Sequence, residues 1–365
     1  MKVSAEPLRA VCAVLMVCCL LERTPMASSG PVDTTDPVEA LLQSMTLAEK
    51  VDQVIMSYPP LAREGPVTVG SVIFLGNLFS SEEAVRSRIE SLQSRSRIPL
   101  LVAADMEGGS FNRLGFIPGL EEVPSAMQLG QAGEDEAREW GRKVGLGMRQ
   151  LGLNTNLAPV LDVADGGHMF ESQRTLGDDP DLVARVATAY AEGLAEAQVL
   201  AIGKHFPGYG PIAENSDLHY VVANRTAEQV AWHADAFVQV GDHVIGVMMA
   251  NVGYSSYGGV PATLSPELVA MAHDRGWLTI TDDLAIDALS EAVGGGGAEE
   301  VVRRAFLAGN DILLTTAPID WDQALDYRGI LMALLASDPS LTTRLDESVR
   351  RVLEAKRKAG LFASL

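Results

Sequence analysis

Cysteine, aromatic side chains and positive charge are all scarce in this sequence. The 365-residue chain has three cysteines, all within its first 20 residues, which excludes a disulfide scaffold for the rest. Aromatic residues make up only 5% of it, so stacking platforms for bases are few. Its 28 basic residues face 48 acidic ones, and the net charge of −20 repels phosphate backbones and anionic lipids. We therefore expect no nucleic-acid partner and no docking on an acidic membrane surface.

The N terminus carries the pattern of a secretory signal peptide. Two basic residues precede an apolar run, Ala10–Leu21, and small residues follow at Ala27–Ser29. The run has 12 residues, which is too short for a comfortable transmembrane helix. We predict a signal peptide over residues 1–29 and an exported protein, periplasmic or extracellular, that begins near Gly30 and has no membrane span. Lipid attachment at Cys18 stays open, although the valine before it is larger than the residue expected there.

Beyond this segment, short apolar runs alternate with amphipathic stretches of helical spacing. The runs are rich in valine, isoleucine, leucine and alanine, as expected for strands buried on both faces. Such alternation is typical of a parallel sheet, and seven or eight strand–helix units closed into a ring form a barrel. An open doubly wound sheet also fits the spacing, but no glycine fingerprint for phosphate binding follows a strand. We predict an α/β fold, a (β/α)8 TIM-type barrel, as a single domain over residues 30–365.

The predicted elements can be placed on the chain. The strands are Gly70–Leu75, Pro99–Ala104, Asn156–Val163, Val199–Lys204, Val244–Ala250, Leu278–Asp282 and Asp311–Thr315. The clearest helices are Glu134–Gln150, Pro180–Ala197, Gly297–Ala308 and Leu345–Ala359. An earlier helix begins after Thr46, which is placed to form a capping box with Glu49, and continues through Met56.

Charged side chains gather at the ends of several of these runs. They include Asp105, Glu107, Lys204, His205 and Asp282. In a barrel, the carboxyl ends of the strands form the catalytic face. A lone buried charge is costly, so these side chains pair with one another or face a wet pocket. Their convergence from separate strands favours a pocket for a hydroxyl-rich ligand.

Five short motifs follow one another along the chain. They are Asp105-x-Glu107-Gly108-Gly109-x-x-x-Arg113, Pro124-Ser125-Ala126-Met127, Leu157-Ala158-Pro159-Val160-Leu161-Asp162, Lys204-His205-Phe206-Pro207-Gly208 and Asp282-Asp283-Leu284. No single motif is decisive, but the five in this order resemble glycoside hydrolase family 3, and more closely its single-domain β-N-acetylglucosaminidases. The resemblance covers the chain from about Thr46 to its end. It implies a barrel and the hydrolysis of a terminal β-linked N-acetylglucosamine with retention of configuration.

The resemblance assigns the nucleophile to Asp282. A carboxylate suits this role because it stabilises oxocarbenium character and then bonds to the anomeric carbon. Aspartate after a strand also commonly caps the next helix, but Asp283 is available for that task.

The same resemblance implies a group of residues that hold the terminal sugar. They are Asp105, Arg113, Arg174, Lys204 and His205. Guanidinium donors and carboxylate acceptors suit vicinal hydroxyls. A salt bridge between Lys204 and Asp105 is compatible with this role. Glu107 is expected to support the site by accepting hydrogen bonds, and His168 is given no role.

The sequence departs from the family at the proton donor. Relatives carry an Asp-Ser-His triplet behind Lys-His-Phe-Pro-Gly-His-Gly, with histidine as acid/base, whereas Tyr209 replaces the second histidine here. Without gaps, Asn215-Ser216-Asp217 occupies the triplet and Asp217 is the acid. With two extra loop residues, Asp217-Leu218-His219 recreates Asp-x-His and His219 is the acid. Loss of the acid is a third alternative.

These observations give one principal function and two alternatives. We predict an exported retaining exo-glycosidase that removes N-acetylhexosamine from cell-wall or chitin-like saccharides, as in peptidoglycan turnover. Both catalytic groups are side chains, so no metal or organic cofactor is expected, and a small saccharide is the expected partner. The alternatives are a catalytically weakened sugar-binding relative and a β-glucosidase of the same family. The oligomeric state is not predicted.

Overall fold

The computed structural model of the protein describes residues 36–59, 64–316 and 322–362. The predicted signal peptide, residues 1–29, lies outside the described residues. Within them, no helix combines the length and apolar character needed to cross a membrane.

The described residues form ten strands, most of them three or four residues long. Their bounds are β1 Ile55–Ser57, β2 Ser71–Phe74, β3 Leu101–Ala104, β4 Thr155–Asn156, β5 Leu200–Phe206, β6 Val221–Ala223, β7 Gly246–Met249, β8 Val252–Tyr254, β9 Leu278–Thr281 and β10 Leu313–Thr315. Eight of them pair in parallel in the order β10-β1-β2-β3-β4-β5-β7-β9, and β6 pairs with β8 in a separate two-stranded sheet.

The two ends of the eight-stranded sheet meet, so that the sheet closes into a barrel. The Ile280–Ile312 bridge joins β9 to the residue before β10. At this seam the Thr281 N–H donates to the Ile312 carbonyl at 3.0 Å, and the Ile312 N–H donates to the Thr279 carbonyl at 3.0 Å. The predicted (β/α)8 TIM-type barrel is therefore confirmed.

Helices surround the barrel. Their bounds are α1 Pro37–Ser44, α2 Leu47–Gln53, α3 Glu82–Ser94, α4 Ala126–Ala132, α5 Glu134–Leu151, α6 Gly167–Glu171, α7 Pro180–Glu196, α8 Ala227–Val240, α9 Pro266–His273, α10 Asp287–Ala292, α11 Gly297–Ala308, α12 Asp322–Ser337 and α13 Leu341–Lys358. Several begin at a side chain that accepts a hydrogen bond from the first helical turn, which satisfies an otherwise unpaired donor. These caps are Asp36, Thr46, Ser81, Ser125, Asp179, Thr226 and Ser265.

The predicted first helix is too long. The capping box of Thr46 and Glu49 is present, but α2 ends at Gln53, and Ile55–Ser57 forms the first barrel strand instead. Ile55 packs in the layer between barrel and helices, whereas Met56 packs inside the barrel. Successive side chains of a strand point to opposite faces, so a strand buries Ile55 and Met56 in different layers. All three residues of this strand are buried. The apolar run itself was compatible with either structure.

The predicted strand Asn156–Val163 is also shorter, because β4 ends at Asn156. The segment behind it still bonds to β5: the Lys204 N–H donates to the Pro159 carbonyl at 3.1 Å, and the Leu161 N–H donates to the Lys204 carbonyl at 2.6 Å. Pro159 has no N–H to contribute to a regular ladder.

The barrel interior is filled from its amino-terminal end. The end of α13 packs against the inward-facing strand residues through Val352, Ala355 and the following Ala359. The buried Lys356 ammonium donates to the Gln53 side chain, just ahead of β1, which places this helix at the amino ends of the strands. The carboxyl ends are therefore the end at which the barrel is free to form a pocket.

Candidate active site

A cavity of about 390 Å³ opens at the carboxyl ends of the barrel strands. This volume lies in the usual range for small-molecule sites. Its charged and polar lining comes from the end of β5 and from the segments behind β3, β4, β5, β7, β9 and β10. It consists of Asp105, Glu107, His168, Ser172, Arg174, Lys204, His205, Tyr209, Asn215, Ser216, Asp217, Asn251, Asp282, Asp283 and Thr316. The convergence of charged residues expected from the sequence is therefore present in one cavity.

The segment behind β3 is shaped by a close backbone approach. Gly108 has a φ of +83°, and a Cβ at this position would lie 1.9 Å from the Pro124 carbonyl oxygen. Only glycine fits this contact without displacing the backbone. Asn156 holds the same segment, because its side chain accepts from the Met106 N–H at 2.9 Å and donates to the Met106 carbonyl. Both contacts fix Asp105 and Glu107 on either side of Met106.

Glu107 is the centre of a buried ionic cluster. Arg174 donates to it with two nitrogens, at 2.7 and 2.9 Å, and the Lys204 ammonium lies 2.6 Å from Glu107 Oε1. Burial opposes ionisation of Glu107, but the charges of Lys204 and Arg174 outweigh it and hold the pKa of this carboxyl well below its usual range. The supporting role expected for Glu107 is therefore that of a counter-ion for two cations of the cavity.

Lys204 also binds Asp105. Its ammonium lies 2.6 Å from Asp105 Oδ1, so the salt bridge considered from the sequence is present. Asp105 remains partly exposed, with 20% of its side chain accessible. Within the described ranges its second oxygen accepts no protein hydrogen bond and is available to a ligand in the cavity.

A fully buried carboxylate, Asp162, orients the His205 ring. Asp162 Oδ2 lies 2.7 Å from His205 Nδ1, and Oδ1 accepts from the Tyr209 N–H at 2.6 Å. Burial opposes ionisation of Asp162, but the His205 ring and the N–H groups of Tyr209 and His205 outweigh it and lower the pKa of Asp162. With Nδ1 donating to Asp162, His205 Nε2 faces Arg174 Nη2 at 3.5 Å. Sequence reasoning placed Asp162 in a motif but missed this orienting role.

Asp282 lies at the end of β9 and faces the cavity. Burial, and then the negative charge of Asp217, raise its pKa to about 6. Its Oδ1 accepts from the Asp283 N–H at 2.8 Å. The expectation that Asp283 caps the next helix is wrong: α10 begins behind Ile286 without a side-chain cap, and Asp283 instead accepts from the N–H groups of Ala285 and Thr316.

Asp217 reaches the cavity from a loop that Tyr209 holds in place. The Tyr209 hydroxyl donates to the Glu214 carbonyl at 2.6 Å and accepts from the Ser216 N–H at 2.8 Å. Asp217 and His219 are both exposed, but Asp217 lines the cavity and His219 does not. Within the described residues, the Asp217 carboxylate accepts no hydrogen bond from the protein.

Two residues behind β3 and β4 depart from expectation. Arg113 does not line the cavity; its guanidinium lies 5.5 Å from the centre of the Phe111 ring, and Phe111 also stacks on Arg174 at 4.7 Å. His168, which was given no role, lines the cavity at the beginning of α6. Phe111 is an unspecified position of the first motif and His168 lies outside all five, so the sequence marks neither as a site residue.

No cluster of three or more histidine, cysteine, aspartate or glutamate side chains in the described part of the chain is arranged to hold a metal ion. The cations that face the carboxylates of the cavity are protein side chains, Arg174 and Lys204.

Similarity to known proteins extends over most of the chain. The sequence family described as glycosyl hydrolase family 3 N terminal domain matches residues 47–355. A β-hexosaminidase of Idiomarina loihiensis is 28% identical over 306 residues, which cover 81% of this chain and 88% of the relative. A solved β-N-acetylhexosaminidase from Beutenbergia cavernae is 27% identical, with a TM-score of 0.76 over 86% of this chain and 99% of the other. The solved family 3 β-N-acetylglucosaminidase from Paenibacillus sp. strain FPU-7 is 28% identical, with a TM-score of 0.78 over 88% of this chain and 64% of the other.

Proposed function

This chain belongs to glycosyl hydrolase family 3, and from that premise we propose that it is a retaining, exo-acting β-N-acetylhexosaminidase. The family and its β-hexosaminidase relatives make the protein a glycoside hydrolase. The more specific proposal is that it releases a terminal β-linked N-acetylglucosamine. Relatives with the corresponding names, similar over most of this chain, support that substrate.

The observation that carries the mechanism is the presence of two carboxylates, Asp282 and Asp217, in one cavity. Their charges interact, since Asp217 contributes to the raised pKa of Asp282. Retaining glycosidases need two such groups, one as nucleophile and one as proton donor. Asp282 is held by a backbone N–H at the end of a barrel strand, whereas Asp217 lies on a loop and its carboxylate accepts no protein hydrogen bond within the described residues. We assign Asp282 as nucleophile and Asp217 as acid/base.

In the first half-reaction, the Asp282 carboxylate attacks the anomeric carbon. The bond to the leaving oxygen breaks while Asp217 gives that oxygen its proton, so the aglycone departs as a neutral alcohol. In the second half-reaction, Asp217 takes a proton from water, and the water oxygen displaces Asp282 from the anomeric carbon. The sugar leaves with its original configuration, and Asp217 is again protonated.

The choice of Asp217 over His219 rests on position. Both residues are exposed, but Asp217 lines the cavity and acts electrostatically on Asp282, whereas His219 does not line it. A general acid must lie within hydrogen-bond reach of the oxygen that it protonates.

The ionic cluster supplies groups for sugar hydroxyls. Asp105 offers a free oxygen, and His205 Nε2 and the Arg174 guanidinium face the same space. Lys204 holds Asp105, Glu107 holds Arg174, and Asp162 holds His205. Arg113 contacts the Phe111 ring and does not line the cavity, so we propose that it supports the site through that ring instead of contacting the sugar.

Export and the natural substrate are part of the proposal. The basic, apolar and small-residue order at the N terminus supports export, and a cell-wall or chitin-like saccharide would be met outside the cytoplasm. Expression in a bacterium with an export pathway is expected to yield a mature chain that begins near Gly30. An intact chain that retains Met1 in the cytosol would contradict it.

The activity test compares two activated substrates on purified protein, an aryl N-acetyl-β-glucosaminide and the matching aryl β-glucoside. We expect turnover of the first at least tenfold above the second. The reverse preference would establish a β-glucosidase. Binding of N-acetylglucosamine without cleavage of either substrate would overturn the proposed activity and leave a sugar-binding protein.

A further inference from the structure

The beginning of α6 is packed directly against the loop that carries Asp217. Gly167 has a φ of +72°, and a Cβ there would lie 2.4 Å from the Ile212 carbonyl oxygen. The next residue, His168, donates its N–H to that same carbonyl at 2.7 Å. The two segments are 44 residues apart in sequence, yet this contact fixes the backbone of His168 beside the 211–219 loop.

The His168 imidazole faces the same cavity as Asp217. Its ring centre lies 6.2 Å from that of Tyr209, whose hydroxyl bonds to Glu214 and Ser216 of the loop. The ring is half-buried, and within the described residues it makes no side-chain hydrogen bond. It is therefore a histidine placed in the site without a structural partner of its own.

The charges around His168 act in opposing directions. Burial, Arg174 and His205 disfavour its protonated form, whereas the carboxylates of Asp217 and Glu171 favour it. The net effect lowers the pKa of His168 below the usual value for histidine. At neutral pH the ring is uncharged, with one N–H donor and one acceptor.

We propose that His168 is a positioning residue that acts through Asp217, with its N–H holding one carboxyl oxygen while the other faces the glycosidic oxygen. This inference rests on the assignment of Asp217 as acid/base. An uncharged donor suits the task, because the positive charge of an imidazolium would favour the ionised form of Asp217, which has no proton to give. Catalytic hydrogen bonds commonly tighten only when substrate is bound, so this bond is expected to form in the substrate complex.

The kinetic test uses His168→Ala and His168→Gln, because glutamine retains an N–H donor. For a disaccharide substrate, we expect His168→Ala to lower kcat/KM roughly 10- to 100-fold, the size of effect associated with misplaced catalytic groups. For an activated aryl glycoside, which departs without a proton, the loss is expected to be less than threefold. His168→Gln is expected to recover much of the disaccharide activity.

A matched control and a double variant separate this role from a general structural one. His243→Ala removes another histidine that lies beside a carboxylate, 3.6 Å from Glu192, and is expected to leave both activities unchanged. In an Asp217→Ala background, His168→Ala is expected to cause no further loss, because its effect passes through Asp217. Equal losses on both substrates, or losses that multiply in the double variant, would overturn the proposal.

Titration of the His168 ring by NMR gives a readout independent of activity. Removal of the Asp217 charge in Asp217→Asn is expected to lower the pKa of His168, and an unchanged titration would overturn the pairing. If the wild-type enzyme cleaves neither substrate, the proposed function fails and the catalytic role of His168 fails with it. If the wild type is active and His168→Ala equals it on the disaccharide, only the inference about His168 fails.

Discussion

The hydroxyl of Tyr209 lies 2.8 Å from the backbone nitrogen of Ser216, the residue immediately before Asp217. The same hydroxyl donates to the Glu214 carbonyl, so one phenol ties both sides of a short turn. Tyr209 itself is fixed by its N–H, which donates to the buried Asp162. The residue that breaks the family motif is thus connected to both His205 and the segment that presents the proposed acid.

Replacement of Tyr209 by phenylalanine tests this connection. Tyr209→Phe removes two hydrogen bonds and leaves the ring in place, at a cost of about 1–3 kcal/mol in the free energy of unfolding. Because Asp217 loses its fixed turn, we expect kcat/KM for a disaccharide to fall about tenfold and that for an activated aryl glycoside to change little. Tyr220→Phe, which removes one hydrogen bond to the Gly259 carbonyl, serves as the control. Equal kinetics for the two variants would show that the Tyr209 hydroxyl does not position the acid.

Glu107 is the residue on which the charge balance of the cavity depends. Glu107→Gln leaves Lys204 and Arg174 with one buried counter-ion fewer, and breaking a buried ion pair costs roughly 3–5 kcal/mol. We expect a marked fall in Tm and a higher KM, because both cations lose their fixed positions. Thermal unfolding and steady-state kinetics measure the two effects.

Glu300→Gln is the matched control for that variant. Glu300 also receives a two-nitrogen contact from an arginine, Arg303, but on the surface of α11. Solvent replaces such contacts, so little change in Tm is expected. A Glu107 variant as stable as the Glu300 variant would contradict the central role of the buried cluster.

Much of this site could be predicted from the sequence because its motifs are local. Asp105 and Asp282 each follow an apolar run directly, so the strand that positions them is visible in the adjacent residues. Ile55–Ser57 was missed because the two apolar residues at its start fit the end of a helix as well as a strand. His168 was missed for a different reason: its neighbour Ile212 is 44 residues away, and no local pattern encodes that contact.

Replacement of Asp282 is expected to lower turnover and to stabilise the fold at neutral pH. Asp282→Asn removes the nucleophile, so turnover of any substrate is expected to fall by several orders of magnitude. The raised pKa of Asp282, about 6 against a usual 3.8, means that its ionised form destabilises the folded state. Between pH 3.8 and about 6, the folded protein binds one more proton at Asp282 than the unfolded chain does. The contribution of Asp282 to the free energy of unfolding therefore falls as pH rises through this range and stays low above it.

The asparagine variant should therefore be more stable than the wild type at pH 7.5, by up to about 3 kcal/mol. This gain in Tm is expected to shrink as pH is lowered toward 4, where the wild-type carboxyl is protonated in the folded state. Asp242→Asn, which changes an exposed aspartate at the far end of α8, is expected to alter neither Tm nor activity. Near-normal turnover by Asp282→Asn would eliminate the nucleophile assignment.

The pH dependence of kcat/KM tests the relationship between the two carboxylates, because it reports ionisation in the free enzyme. The nucleophile must be ionised, so with an activated aryl N-acetylglucosaminide we expect kcat/KM to rise with pH through about 6, the pKa of Asp282.

After burial, the charge of Asp217 is the largest cause that raises the pKa of Asp282. Asp217→Asn removes that charge, so the pKa of Asp282 falls and the acidic limb moves to lower pH. The activated leaving group keeps the first half-reaction measurable without the acid. Asp242→Asn is expected to leave the limb in place, and a limb that stays fixed or moves to higher pH in Asp217→Asn would show that the Asp217 charge does not act on the nucleophile.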